Sequence, residues 1–146
     1  MALTPISLAT IAAGTGGFVL TGDAAGDQTG SWVAAAGDVN GDGFDDIIIG
    51  AQNANAYAGR AYVVFGQAGG FAASINLATL TGSNGFALTG QTAMDYAGGS
   101  VASAGDVNGD GFDDLIVGAP GADSLAGQSY VVFGQARGFA DRKSVG

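Results

Sequence analysis

The chain has no cysteine, no histidine and no glutamate, and only 4 lysine or arginine residues in 146. Without cysteine, disulfides contribute nothing to stability and the redox compartment is left open. Without histidine or cysteine, and with most of its aspartates grouped in two short stretches, the chain lacks a general base or nucleophile constellation. It is not expected to be an enzyme. The 4 basic residues against 13 acidic ones give a formal charge of −9, with no basic cluster to neutralise phosphate, so nucleic acid is excluded as a partner. No window approaches the roughly 18 consecutive apolar residues that a membrane span requires. The apolar N-terminus, Met1 to Gly14, has no lysine or arginine ahead of it and looks more like part of a repeat than a signal peptide.

Glycine is abundant, at 28 residues, which favours many short strands and tight turns over helix. The aspartates are unevenly placed: 8 of the 13 lie in two identical nine-residue stretches, Asp38-Val39-Asn40-Gly41-Asp42-Gly43-Phe44-Asp45-Asp46 and its copy from Asp106 to Asp114. A hard cation such as Ca2+ takes six to eight oxygens at about 2.3–2.6 Å, and alternate residues of a tight loop can aim theirs at one centre. Asp38, Asn40, Asp42 and Asp46 meet that need, with the Phe44 carbonyl between the last two, and Gly41 and Gly43 permit the turns. Asp106, Asn108, Asp110, the Phe112 carbonyl and Asp114 repeat the set. The expectation is two bound Ca2+ ions, which would offset about four of the nine negative charges; a solvated acidic turn is the alternative. Asp45 and Asp113 are expected in an outer shell or facing water.

An EF-hand would need a bidentate glutamate at the twelfth loop position and flanking helices. Ile49 and Val117 stand there instead, within the runs Ile47 to Ala51 and Leu115 to Ala119, which read as buried strands closed by glycine. The loop therefore joins two strands. Loops of this kind suit compartments where calcium is plentiful, because extracellular modules bind it with Kd on the order of 10⁻⁴–10⁻³ M. An extracellular or cell-surface location is expected.

Self-comparison extends the repeat well past the loops, at a constant offset of 68 residues. Gly17 to Gly22 returns as Gly85 to Gly90, Asp27 as Asp95, and Tyr62 to Gly66 as Tyr130 to Gly134. Ile6 to Ile11 matches Ile75 to Leu80 with one residue of slippage. A long period holding about four strand signals points to propeller blades. Strands are expected at 31–36, 45–50, 60–66 and 85–89, then at 99–104, 113–118 and 128–134, with 17–21 an outer strand at the front. The fold class is all-β: two four-stranded antiparallel propeller blades in an incomplete ring, or, alternatively, 17–21 completing the second blade. The segments are 1–16, part of a preceding repeat; 17–90, the first blade; 91–139, the second, short of its outer strand; and 140–146, a tail unrelated to the repeat. Because a ring usually needs 4–8 blades, further blades of the same chain or self-association are expected.

At these residues the chain resembles the FG-GAP repeat of the integrin α-subunit β-propeller. Ser100-Val101, the loop from Asp106 to Asp114, the triplet Gly118-Ala119-Pro120 and the strand from Gly127 to Gly134 follow the family pattern over roughly residues 17–139. The first copy departs at Gln52, in place of the proline, and at Trp32, which reads as an insertion between Ser31 and Val33; Thr29 and Ala97 stand where the family has phenylalanine. The resemblance implies a calcium-stabilised blade with its loops on the face opposite the main ligand-binding surface. It also implies a secreted or surface module for adhesion or for contact with an unidentified protein or matrix ligand. Asp27, Asp95 and the connections Gln52–Gly59 and Pro120–Gly127 are the candidates for that opposite face. The alternatives are a non-catalytic propeller segment of a secreted, phospholipase-like enzyme, or a purely architectural repeat.

Overall fold

A computed structural model describes residues 2–136 and 139. Besides short helical turns at Ala54–Tyr57, Leu77–Thr79 and Ala122–Leu125, the elements in chain order are a one-turn helix α1 (Leu8–Ala12) and nine strands: β1 (Val19–Thr21), β2 (Trp32–Gly37), β3 (Asp46–Ala51), β4 (Arg60–Val64), β5 (Ser74–Asn76), β6 (Gly85–Thr89), β7 (Ser100–Gly105), β8 (Asp114–Ala119) and β9 (Gln128–Val132). The first blade is the antiparallel sheet β2-β3-β4-β6, and the second is β7-β8-β9, with three strands among the described residues. The protein is thus all-β, built of two propeller blades in a ring that is not closed. Among the described residues no helix is long and apolar enough to cross a membrane. The tail at 140–146 lies outside the described residues.

The two blades copy each other down to their irregularities. Register slips between Ala35 and Gly37 in the first and between Ser103 and Gly105 in the second, so each innermost strand kinks just as it enters the loop. Small residues, Ala34 to Ala36 and Ala102 to Ala104, fill these strands. Trp32 pairs with Gly50 as Ser100 pairs with Gly118, so Trp32 replaces the second copy's serine and is not an insertion.

Strand alternation sends one set of side chains from each blade into a shared core. Ile48, Val63, Phe65 and Phe86 of the first blade meet Val101, Leu115 and Val117 of the second. Full burial of one such side chain is worth about 1.5–3 kcal/mol, so this interface is what makes two blades one body. The opposite face of the first blade, with Ile49, Tyr62 and Val64, is covered by Leu20 and by the connection carrying Ile75, Leu77 and Leu80.

Within its own chain β1 does not complete the second blade. It pairs in parallel with β5, Val19 opposite Ser74 through Thr21 opposite Asn76. The residues of β5 carry no strand pattern of their own, so this pairing is invisible in the sequence.

Candidate metal centre

Each nine-residue loop connects the inner strand to the second strand at one end of its blade. Gly37 and Gly105, with φ of +72° and +69°, turn the chain out of the strand, and Gly41, Gly43, Gly109 and Gly111 keep it in the left-handed region at alternate positions. The side chains fold back onto the loop's own amides. Asp38 Oδ1 accepts from Asp42 N at 3.1 Å and its Oδ2 from Gly43 N at 2.9 Å. Asn40 Oδ1 accepts from the same Asp42 amide at 3.2 Å, Asn40 Nδ2 donates to Asp42 Oδ2 at 3.0 Å, and Asp42 Oδ1 accepts from Phe44 N at 2.9 Å. Oxygens of Asp38 and Asn40 therefore share the Asp42 amide as their donor.

The second loop reproduces this. Asp106 Oδ1 and Asn108 Oδ1 accept from Asp110 N at 3.0 and 3.3 Å, Asp106 Oδ2 from Gly111 N at 2.8 Å, and Asp110 Oδ1 from Phe112 N at 3.0 Å. The donor set is all oxygen, carboxylates together with the neutral oxygens of Asn40, Asn108 and the Phe44 and Phe112 carbonyls, as suits a hard cation. Among the described residues, no three acidic side chains close around a common point as a finished metal cage.

Asp46 and Asp114 stand apart from the others by being buried. Asp46 Oδ2 accepts from Val39 N at 2.8 Å and Oδ1 from Gly66 N at 2.9 Å. Asp114 does the same with Val107 N at 2.8 Å and Gly134 N at 2.9 Å. Each carboxylate staples the start of its loop to the end of the third strand. Burial pushes the Asp46 carboxyl up to about 6; the Gly66 and Val39 amides oppose this, and the charges of Asp42 and Asp38 add to it.

Asp45 and Asp113 are expected in an outer shell or facing water, but in the second loop this position has another task. Asp113 Oδ2 accepts from Asp38 N at 2.8 Å, and Asp113 N donates to Asp38 O at 3.2 Å. The Phe112 ring lies on Gly41, where an added Cβ would come within 2.3 Å of it, and a Cβ on Gly37 would come within 2.3 Å of the Asp113 carboxylate. The second loop thus latches onto the first across the blade interface, while Asp45 is exposed. In dilute solution Asp113→Ala is expected to cost about 1–3 kcal/mol, because it strands the Asp38 amide, and Asp45→Ala less than about 0.5 kcal/mol. Urea denaturation of the pair checks the difference.

The opposite ends of the strands carry a second repeated feature. Asn55, Ala56 and Tyr57 have φ of 54°, 56° and 64°, and Asp123, Ser124 and Leu125 have 52°, 56° and 71°. Three consecutive non-glycine residues in the left-handed region are costly, and such strain gathers at working surfaces. The second turn and the segment Thr92–Tyr96 flank an open groove of about 540 Å3, with Met94 and Leu125 exposed at its rim. Asp27 and Asp95, expected on this face, are buried. The Asp95 carboxylate accepts from Thr92 N at 3.0 Å, and its backbone oxygen accepts from Gly121 N at 3.0 Å, so it shapes the loop and is not displayed.

A family model described as the FG-GAP repeat matches residues 29–64 and 97–132. The chain carries two FG-GAP repeats. Each matched FG-GAP segment holds the three inner strands of one blade together with its aspartate loop. Integrin alpha-4 of Xenopus laevis is 31% identical over 121 residues, which is 80% of this chain and 11% of that protein. Integrin alpha-IIb of Mus musculus is 35% identical over 119 residues, 75% of this chain and 11% of the relative. Integrin alpha-3 of Mus musculus is 37% identical over 106 residues, 70% of this chain and 9% of the relative. The FG-GAP pair therefore spans about a tenth of the length of these relatives.

Proposed function

We infer that each FG-GAP loop holds one Ca2+ ion and that the module is a non-catalytic, calcium-stabilised part of a secreted or cell-surface protein that contacts another protein or a matrix. The observation that carries this is the paired convergence of Asp38 and Asn40, and of Asp106 and Asn108, on a single backbone amide within an all-oxygen loop. Asp38, Asn40, Asp42, Asp46 and the Phe44 carbonyl would hold the first ion, and Asp106, Asn108, Asp110, Asp114 and the Phe112 carbonyl the second. A divalent charge there would offset the repulsion among carboxylates that is worth about 4 kcal/mol per close pair at an effective dielectric near 20.

Because the ion binds the folded loop, binding adds to folding stability. At Ca2+ roughly ten to a hundred times Kd, two sites together contribute about 3–5 kcal/mol. Excess EGTA should then lower Tm by roughly 10 °C. A melting curve unmoved by EGTA contradicts the inference. Adhesion fits the open groove beside Met94 and Leu125, which stands at the end of the strands away from the metal loops and is framed by a strained turn.

A further inference from the structure

One face of the second blade is open where its counterpart is closed. Val39, Ile48 and Val63 of the first blade are 0% exposed under the second blade; one repeat later, Val107, Ile116 and Val131 are 56%, 36% and 47% exposed. The latch repeats the contrast. An added Cβ on Gly37 or Gly41 would strike Asp113 or Phe112, whereas among the described residues nothing lies within 4 Å of such a Cβ on Gly105 or Gly109. The matching plug is free at the other end of the molecule: Phe44 is 41% exposed and Val33 62%, although Val101, the repeat of Val33, is 2% exposed.

β1 completes the picture. It repeats β6 in sequence, and it sits on the first blade as β6 sits on the second. Phe18 stacks on Phe71 with centroids 4.3 Å apart, and the residues one repeat later, Phe86 and Phe139, stack at 4.0 Å. Leu20 packs into the cluster of Ile49, Tyr62 and Val64, as Leu88 packs into that of Val101, Leu115 and Val117. β1 therefore stands where the outer strand of a preceding blade belongs. Among the described residues, β9 has no strand on its outer edge, the edge that β6 occupies on β4.

We propose that a second copy of this chain docks head to tail on the open face: its β1 pairs antiparallel with β9, and its Phe44 and Asp45 seat on Gly109 and Gly105. The β4–β6 register, Arg60 opposite Thr89 and Val63 opposite Phe86, sets the new one as Gln128 opposite Thr21 and Val131 opposite Phe18 of the incoming copy. The occupant follows from identity, since the loop, socket and plug residues of one repeat are those of the other. The two docking patches differ, so the contact is heterologous and propagates until a ring closes, at roughly two to four copies for a propeller of 4–8 blades.

Two single substitutions test this, each at a side chain exposed in one copy. Val33→Lys spoils the plug side and Val131→Lys the socket side. In native mass spectrometry and sedimentation at about 100 µM chain and about 10 mM Ca2+, the wild type should form a closed oligomer and each variant alone a monomer. A one-to-one mixture of the two variants should give a dimer, because one intact plug meets one intact socket. Both variants should melt within about 2 °C of the wild type when dilute, which separates lost docking from lost folding. A monomeric wild type would leave the face to a further repeat of a longer chain and overturn the proposal. So would a mixture that stays monomeric, or a single variant that still assembles.

Discussion

Asp46→Ala should remove about 3–5 kcal/mol of folding stability, a large part of the 5–15 kcal/mol typical of a domain. The loss does not depend on metal. Both carboxylate oxygens are spent on backbone amides, Val39 N at 2.8 Å and Gly66 N at 2.9 Å, and both would be left without an acceptor around a buried site. Hydrogen bonds to a charged group are worth about 1.5–3 kcal/mol each, and a stranded buried donor costs about 1–3 kcal/mol. Asp46→Asn keeps one acceptor oxygen and should lose roughly half as much, while Asp45→Ala next to it should be nearly silent. Urea denaturation in EGTA isolates this stapling role from any contribution of the ion. A loss below about 1 kcal/mol for Asp46→Ala would show that the amides find other partners.

Gly98→Ala should be comparably severe, for a reason of geometry and not of charge. Gly98 lies where the link between blades crosses the first sheet: its φ is +85°, and a Cβ there would come within 2.1 Å of Arg60 O. The approach is close on both sides, since a Cβ on Gly50 would in turn meet Gly98 O at 2.1 Å. The backbone cannot yield without moving the blades apart, and a loss of at least about 3 kcal/mol is expected. Gly26→Ala is the matched control. Its φ is +89° with nothing among the described residues within 4 Å of the added Cβ, so it reports the dihedral cost alone, about 1–2 kcal/mol. Equal losses for the two substitutions would mean that the close approach contributes nothing.

The parts of the fold that were legible in the sequence are those governed by local chemistry repeated twice. The loop from Asp38 to Asp46 and the β-branched run after it announce a turn feeding a buried strand, and β3 and β8 form there. The 68-residue offset gave the two blades. What stayed hidden depends on neighbours. Asp113 reads like Asp45 because the sequences are identical, and only the presence of another blade beside it turns one into a latch. Asp27 and Asp95 look like exposed acidic residues of glycine-rich loops, yet they are buried, and Asp95 accepts a backbone amide. The left-handed turns at Asn55–Tyr57 and Asp123–Leu125 open on Asn55 and Asp123, residue types that tolerate that conformation, but contain none of the glycines that normally mark it, and Ala56, Tyr57, Ser124 and Leu125 give no signal. Trp32 misled for a simpler reason: a large residue at a serine position looks like an insertion until pairing with Gly50 fixes its register.

The claim on which the rest depends is that the two aspartate loops each take up one divalent ion and are held in shape by it. Calorimetric titration of the chain with Ca2+ tests it most directly. The account predicts two ions per chain, with Kd on the order of 10⁻⁴–10⁻³ M, and one ion per chain after Asp38→Ala or Asp106→Ala. No uptake at millimolar Ca2+, or two ions still bound after either substitution, would contradict it.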